Sequence, residues 1–138
     1  MIAYPAHAKA MAAIHAAAFP DDPWDAESIA TLLAQPGVVG LIDPRGGILI
    51  LRVAADEAEI LTIGVTARRR GLGTALMRAA IEKAKTMGAA VLHLEAAAGN
   101  IAAQEFYKSL GFAAAGRRPN YYANGDDAVL LSLPLDPL

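Results

Sequence analysis

The stretch RRRGLGTALMRAAIEKAKTMGAAVLHLE, residues 68–95, decides the fold of this chain. Three arginines and two closely spaced glycines lead into a helical pattern that ends at Gly88, and a strand pattern then ends at Glu95. A glycine turn that opens a helix exposes backbone N–H groups, and the helix N-terminus adds partial positive charge. The stretch therefore predicts an anion-binding turn between two strands.

The elements around this stretch indicate the fold class. Before it we expect a helix from Ala6 to Phe19, a second helix from Asp25 to Gln35, and three strands: VVGLI (38–42), GILILRV (47–53) and EAEILTIGV (57–65). After the helix from Gly71 to Gly88 we expect the strand AAVLHLE (89–95), a helix from Asn100 to Gly111 and a last strand, AVLLSL (128–133). A strand, a helix and a strand in succession make a parallel pair, so the class is α/β or mixed α+β.

Length and composition restrict the function. The 138 residues fit a single domain, 1–138, and a net charge of -2 argues against a broad nucleic-acid footprint. No run reaches the roughly 20 apolar residues of a membrane span, and the N-terminus lacks a secretory pattern. The absence of cysteine excludes disulfides and suits a reducing compartment. We expect a cytoplasmic protein that binds neither nucleic acid nor a membrane.

Known phosphate-binding patterns can be compared with the glycine turn. A P-loop needs a lysine after its last glycine, and none follows Gly71 or Gly73. A dinucleotide fingerprint fits the two glycines and an acid at Glu95, but Leu76 fills its third small position. For these residues alone, a plain glycine helix start with solvated arginines also stays open.

Two signatures resemble the GNAT superfamily of acyl-CoA-dependent N-acetyltransferases. The pattern Arg68-x-x-Gly71-x-Gly73 after a strand resembles its pyrophosphate loop. The segment GNIAAQEFYKSLGF, residues 99–112, is similar to its second signature, with matches at Asn100, Tyr107, Gly111 and Phe112. The resemblance implies the GNAT fold, a mixed and mostly antiparallel sheet flanked by about four helices. The opening MIAYP leaves its first strand short or missing.

Four further segments resemble the bacterial RimI-type enzymes, which acetylate the N-terminal alanine of a small-subunit ribosomal protein. They are AFPDDPW (18–24), EAEILTIGV (57–65), LHLEAAAGN (92–100) and RRPNYYANGDDAVLLSLPL (117–135). The resemblance implies acetyl transfer from acetyl-CoA to a protein N-terminus, without a metal. Two alternatives stay open: a GNAT enzyme for a small-molecule amine or a lysine, and a non-catalytic domain that binds acyl-CoA.

Amide formation needs a neutral amine, a polarised thioester and a proton for the departing thiolate. The resemblance assigns Glu95 to deprotonating the amine and Tyr107 to protonating the sulfur. The alternatives are a solvated strand end for Glu95 and a core aromatic for Tyr107. His93, on the same strand face as Glu95, either tunes that carboxylate or is a satisfied strand histidine, and we favour the second. We expect His7 and His15 to lie on the first helix without a role.

Acetyl-CoA is expected to bind along the same elements. Asn100 either bonds the pantetheine arm or only caps its helix, and Tyr107 lies near the sulfur. The backbone at the end of the strand EAEILTIGV, before the glycine turn, is expected to hold the same arm and to polarise the thioester. The residues concerned are Ile63, Gly64 and Val65. The diphosphate is expected on the glycine turn, at Arg68, Arg69, Arg70, Gly71, Leu72, Gly73 and Thr74.

The acceptor peptide is expected between two loops, FPDDPWDAE (19–27) and RRPNYY (117–122). The candidate contacts are Asp22, Trp24, Tyr121 and Tyr122. The acids of the first loop suit a basic ribosomal tail, although an ordinary solvated loop is the alternative, and these acids are Asp21, Asp22, Asp25 and Glu27.

Overall fold

The computed structural model describes residues 2–66 and 71–136. The helices are α1 (Ala8–Ala18), which follows a short 3-10 helix (Pro5–His7), α2 (Ala26–Leu33), α3 (Leu72–Thr86) and α4 (Ile101–Ser109). The strands are β1 (Ile2–Ala3), β2 (Val38–Asp43), β3 (Gly47–Ala54), β4 (Glu57–Val65), β5 (Val91–Ala97), β6 (Ala113–Arg118) and β7 (Ala128–Pro134).

The described strands form one seven-stranded sheet in the order β1-β2-β3-β4-β5-β7-β6. Neighbouring strands are antiparallel except β4 and β5, which are parallel and joined through α3. The predicted mixed, mostly antiparallel sheet with four helices is therefore confirmed. Among the described residues, none of the helices has the length and apolar character needed to cross a membrane.

A β-bulge in β4 separates it from β5. In the pairing of β3 with β4, Ile50 faces Thr62 and Leu51 faces Ile60, so Leu61 is an extra residue on β4. A bulge of this kind bends its strand and increases the local twist. The ladder between β4 and β5 joins Glu57–Glu59 to Val91–His93, and no further pairs of these two described strands follow. The two strands then separate, and a gap opens in the middle of the sheet.

The sheet has a hydrophobic core on each face. Alternation along β3 directs Ile48 and Ile50 to the face that α1 and α2 cover, where Met11 and Ile29 are fully buried. The opposite side chains of β3 pack with α3, β5 and β7, and the fully buried members of this larger core include Leu49, Leu51, Met77, Leu92 and Leu131. The larger core includes residues of both strands that border the gap, Ile60 of β4 and Leu94 of β5.

Both predicted helix starts in the polar segments are confirmed by their caps. The Asp25 side chain accepts a hydrogen bond from the Ser28 N–H at 2.7 Å, and that of Asn100 accepts one from the Ala103 N–H at 3.1 Å. An N-cap oxygen satisfies an N–H group that has no acceptor inside the helix. Asp25 is thus engaged in a cap as well as lying in the acidic loop.

The sequence failed to predict β6, and this changes the end of the fold. The segment AAAGRR has no β-branched or aromatic side chain, and all six residues are exposed. Pairing with β7 forms this strand despite its composition. Because β6 comes between α4 and β7, β7 returns antiparallel to β5. The first strand, expected to be short or missing, is present as Ile2–Ala3.

We predict different costs for alanine at two glycines that share a left-handed backbone. Gly37 (φ 80°) and Gly125 (φ 86°) would each incur about 1 kcal/mol for that conformation. At Gly37 an added Cβ would also overlap the carbonyl oxygen of Val53, whereas at Gly125 it would meet no atom within 4 Å. We expect Gly125→Ala to lose about 1 kcal/mol of unfolding free energy and Gly37→Ala about 3 kcal/mol in urea titrations. Equal losses would contradict the packing at Gly37.

Candidate active site

The gap between β4 and β5 contains a cavity of about 440 Å³, here called the gap cavity. Its strand walls are Ile60 to Ile63 of β4 and Leu94 to Ala97 of β5, and α4 closes it with Asn100, Ala103 and Tyr107. Since β5 pairs with only the first three residues of β4, the backbone of the β4 wall faces this cavity without a strand on that side among the described residues.

A second cavity of about 560 Å³, here called the loop cavity, adjoins the first. It lies between the loop after α1, with Asp22 and Trp24, and the loop after β6, with Tyr121 and Tyr122. The two cavities share part of their lining, namely Ile60, Leu61, Glu95 and Tyr122. A molecule in one cavity can therefore meet a molecule in the other beside Glu95.

Glu95 lies at the junction of the two cavities because of the alternation along β5. Leu92 and Leu94 point into the core with α3, so Glu95 points to the opposite face of the sheet. Its side chain is 20% exposed, and its Oε1 lies 3.5 Å from Nε of Arg118 on β6. The Glu95 carboxylate thus lines both cavities and has Arg118 as an ion-pair partner.

Tyr107 reaches the gap cavity from the other face of the sheet. It lies on α4, packs edge-on against Phe112 with ring centroids 6.0 Å apart, and is almost fully buried. Burial, and to a lesser extent Tyr122, raises the pKa of the Tyr107 hydroxyl above its usual value. This hydroxyl is therefore protonated at neutral pH and can donate a proton. Tyr107 is thus a buried member of the larger core that also lines the gap cavity.

Tyr122 lies near both candidate proton-transfer residues, Glu95 and Tyr107, and lines both cavities. Burial raises the pKa of Tyr122, and the nearby charge of Glu95 raises it further. Its neighbour Tyr121 packs edge-on at 5.1 Å and lies under the Arg118 guanidinium, 5.5 Å from the ring centroid. The loop after β6 thereby places two aromatic rings and one cation around Glu95.

The ring of His93 is engaged away from Glu95. Nδ1 is 2.6 Å from Oγ of Ser132, and Nε2 is 3.2 Å from Oε1 of Glu57. With both nitrogens partnered, His93 fits the favoured interpretation of a satisfied strand histidine. Within the described ranges, 2–66 and 71–136, no group of three or more His, Cys, Asp or Glu residues could hold a metal ion.

The residues predicted for acetyl-CoA outside the helix start and Tyr107 fall into three groups. Arg68, Arg69 and Arg70 lie outside the described residues. Ile63 and Asn100 line the gap cavity, and the Asn100 cap uses only Oδ1, which leaves its amide N–H groups for another acceptor. The other two backbone candidates of β4 continue beyond the cavity, where they pair with β3, and these are Gly64 and Val65.

The glycine turn opens α3 as expected. Gly71 has φ 87° and precedes Leu72, the first helical residue, and its carbonyl accepts the first intrahelical bond from the Ala75 N–H at 2.9 Å. The N–H groups of Leu72, Gly73 and Thr74 therefore have no acceptor inside the helix. An added Cβ at Gly73 would lie 3.4 Å from the Phe106 ring of α4, an ordinary van der Waals contact.

All four predicted acceptor contacts line the loop cavity: Asp22, Trp24, Tyr121 and Tyr122. Other lining residues were not predicted from the sequence. Arg118 lies in RRPNYY, the segment in which only the tyrosines were predicted to contact the acceptor. Its side chain pairs with Glu95 because β6, which was not predicted, places it there. Thr62 is the one polar residue in the run ILTIGV, and the bulge at Leu61 explains its position in the gap cavity.

Known proteins resemble this chain in sequence. A profile of the Acetyltransferase (GNAT) family matches residues 9–112. The [Ribosomal protein bS18]-alanine N-acetyltransferase of Salmonella typhimurium is 41% identical over 67% of this chain and 66% of its own length. For the Escherichia coli protein of that name the identity is 42%, over 62% of each chain. The chain thus spans slightly less than two thirds of these curated relatives.

Solved structures extend the likeness to the whole chain. The crystal structure of the ribosomal-protein-S18-alanine N-acetyltransferase from Escherichia coli superimposes with a TM-score of 0.86 and 31% identity, over 100% of this chain and 95% of that one. The superposition covers the whole chain, and its described part includes the separated strands β4 and β5, the start of α3 and the helix that carries Tyr107. The chain belongs to the acetyltransferase (GNAT) family.

Proposed function

We propose that this protein transfers the acetyl group of acetyl-CoA to the N-terminal α-amine of a protein, namely an alanine-initiated ribosomal protein. The observation that carries the proposal is the approach of Glu95 and Tyr107 to one gap from opposite faces of the sheet. The names of the Salmonella and Escherichia coli relatives support the choice of acceptor. A ribosomal acceptor would place the reaction in the cytoplasm.

The two residues suit the two proton transfers of the reaction. The acceptor amine enters from the loop cavity and loses a proton to Glu95, and its nitrogen then attacks the thioester carbonyl in the gap cavity. The C–S bond breaks as the amide forms, and the Tyr107 hydroxyl gives its proton to the departing sulfur. An α-amine titrates near pH 8, so a carboxylate is a sufficient base, whereas a lysine near 10.4 demands more.

The geometry supports acetyl-CoA as the acetyl donor. The N–H groups at the start of α3 suit its diphosphate, and the unpaired edge of β4 offers hydrogen bonds to its pantetheine arm. The first described residue after the arginine run is Gly71, which allows the backbone to approach a phosphate closely. No metal takes part in this scheme.

The loop cavity supports a peptide acceptor. Its lining combines three acids with two arginines and two tyrosines, so a positively charged amine can pair with a carboxylate there: Asp22, Glu59, Glu95, Arg52, Arg118, Tyr121 and Tyr122. Arg118 pairs with Glu95, so an incoming amine competes with that guanidinium for the carboxylate. The presence of both proton-transfer residues argues against a catalytically silent acyl-CoA-binding domain.

Glu95→Gln and Tyr107→Phe are expected to differ in their pH profiles. Glu95→Gln loses activity most near neutrality and recovers part of it as pH passes the pKa of the amine, near 8. Tyr107→Phe stays slow at every pH, by about 100-fold, because the thiolate still lacks its acid. The measurement is kcat/KM against pH, with acetyl-CoA affinity determined separately. Near wild-type turnover of Tyr107→Phe would assign that residue to packing alone.

Two substitutions at Asn100 separate capping from cofactor binding. Asn100→Asp keeps an oxygen for the Ala103 N–H and loses the amide donor, while Asn100→Ala loses both. If the amide binds the pantetheine arm, both variants raise the KM for acetyl-CoA by about tenfold, but only Asn100→Ala is less stable, by about 1 kcal/mol. An unchanged KM in Asn100→Asp would leave Asn100 as a cap only.

The acceptor is tested by blocking the amine. An Ala-initiated peptide that also contains lysine should be acetylated at its N-terminus. The same peptide, synthesised with a formyl group on its α-amine and free lysines, should not be acetylated. Mass spectrometry locates the acetyl group. Acetylation of lysine in the blocked peptide would instead assign the protein to the lysine or small-molecule class of acceptors.

A further inference from the structure

His15 is the buried polar side chain of the described residues, with 2% exposure. It lies on α1, and its ring packs between two aromatic rings of the following loop. The centroid of Phe19 is 4.7 Å away, and that of Trp24 is 4.9 Å away in a stacked arrangement at 21°. A buried imidazole needs partners for its nitrogens, because an unsatisfied polar group inside a protein is costly.

Both ring nitrogens of His15 have partners, and these fix the tautomer. The Trp24 backbone N–H donates to Nδ1 at 3.1 Å, and Nε2 lies 3.3 Å from Oγ1 of Thr62. A backbone N–H can only donate, so Nδ1 carries no proton. The neutral ring therefore carries its proton on Nε2 and directs it at Thr62.

These partners belong to the walls of the two cavities. Trp24 lines the loop cavity, and Thr62, next to the bulge of β4, lines the gap cavity. We call residues 19–25 the acceptor loop. A single buried ring thus joins the acceptor loop to the strand along which the thioester is expected to lie. The sequence had predicted no role for His15.

We propose that neutral His15 is a positioning residue that holds the acceptor loop against β4 and so sets the shape of the loop cavity. This inference rests on the proposed function, in which the loop cavity receives the amine. His15 does not touch the reacting atoms in this scheme. Its effect reaches the acceptor through Trp24, whose main chain and ring it holds at the same time.

Protonation would break this link. An imidazolium has a proton on both nitrogens, so its Nδ1 could not accept the Trp24 N–H. Thr62 from β4 and the rings of Phe19 and Trp24 are uncharged, and Asp22 of the acceptor loop is the charged group that acts on the ring. Burial lowers the pKa of His15, and Asp22 opposes this only in part.

The direction of the pH effect follows from that lowered pKa. The pKa of His15 is lower when the ring is buried under the acceptor loop than when the loop is released and the ring is solvated. Protonation of His15 therefore favours release of the loop. The fixed loop is therefore fully present above about pH 6.5, the value of a solvated histidine, and is lost as pH falls below it toward the lowered pKa.

The test compares His15→Leu, His15→Asn and Thr62→Val with His7→Asn as a matched control. His7 also accepts a backbone N–H through Nδ1, from Tyr4 at 2.8 Å, but lines neither cavity. At pH 7.5 we expect His15→Leu to raise the KM for an Ala-initiated peptide by about tenfold, the equivalent of a lost hydrogen bond, while the KM for acetyl-CoA stays within about twofold. His15→Asn keeps an acceptor for Trp24 and restores most of the peptide KM.

Trp24 gives a readout that needs no substrate, since it is the only tryptophan in the chain. Its fluorescence should change with a midpoint below pH 6.5 in the wild type and in His7→Asn, and show no such step in His15→Asn. Hydrogen exchange at the Trp24 amide should accelerate by about tenfold in His15→Leu and little in His15→Asn.

The outcomes separate the inference from the proposed function. An unchanged peptide KM in folded His15→Leu and Thr62→Val, or a fluorescence step that persists in His15→Asn, overturns the role of His15. A wild type that acetylates no N-terminal peptide overturns the proposed function. In that case faster Trp24 exchange in His15→Leu still supports the link between the loop and β4, and unchanged exchange overturns it.

Discussion

The separation of β4 from β5 is the constraint on which the candidate site depends. Three residue pairs join the two strands, and the bulge at Leu61 then turns β4 away. Backbone groups that would otherwise be paired in a ladder are left to face a cavity, where a ligand can complete their hydrogen bonds. Side chains of both strands, Ile60 of β4 and Leu92 and Leu94 of β5, pack into the same core with α3 on either side of the gap.

The sequence predicted most of this framework because local patterns and tertiary packing agree there. The alternating strand EAEILTIGV, the capped helix after Asn100 and the glycine start of α3 form where they were expected. The strand β6 was not predicted because AAAGRR carries no strand preference of its own, and its existence depends on pairing with β7. Helix ends also shifted by a few residues, as at Ala8–Ala18, since side-chain patterns do not define fraying termini.

The candidate site was predicted as a set of residues but not as an arrangement. Glu95 and Tyr107 could be named from their segments, yet only the gap shows that they approach it from opposite faces. The bulge at Leu61 cannot be recognised from side-chain alternation alone, so Thr62 looked like an ordinary strand residue. The proposed role of His15 could not be predicted, because a lone histidine in an alanine-rich helix carries no signal and its partners lie 9 and 47 residues away.

The two cavities share Ile60, Leu61, Glu95 and Tyr122 in their linings, and this bears on how the two substrates of the proposed reaction would be bound. In that scheme the donor lies in the gap cavity and the acceptor in the loop cavity, so that both are held at the same time and their reacting ends meet beside Glu95. The acetyl group would then pass directly from one substrate to the other, without first being attached to the protein.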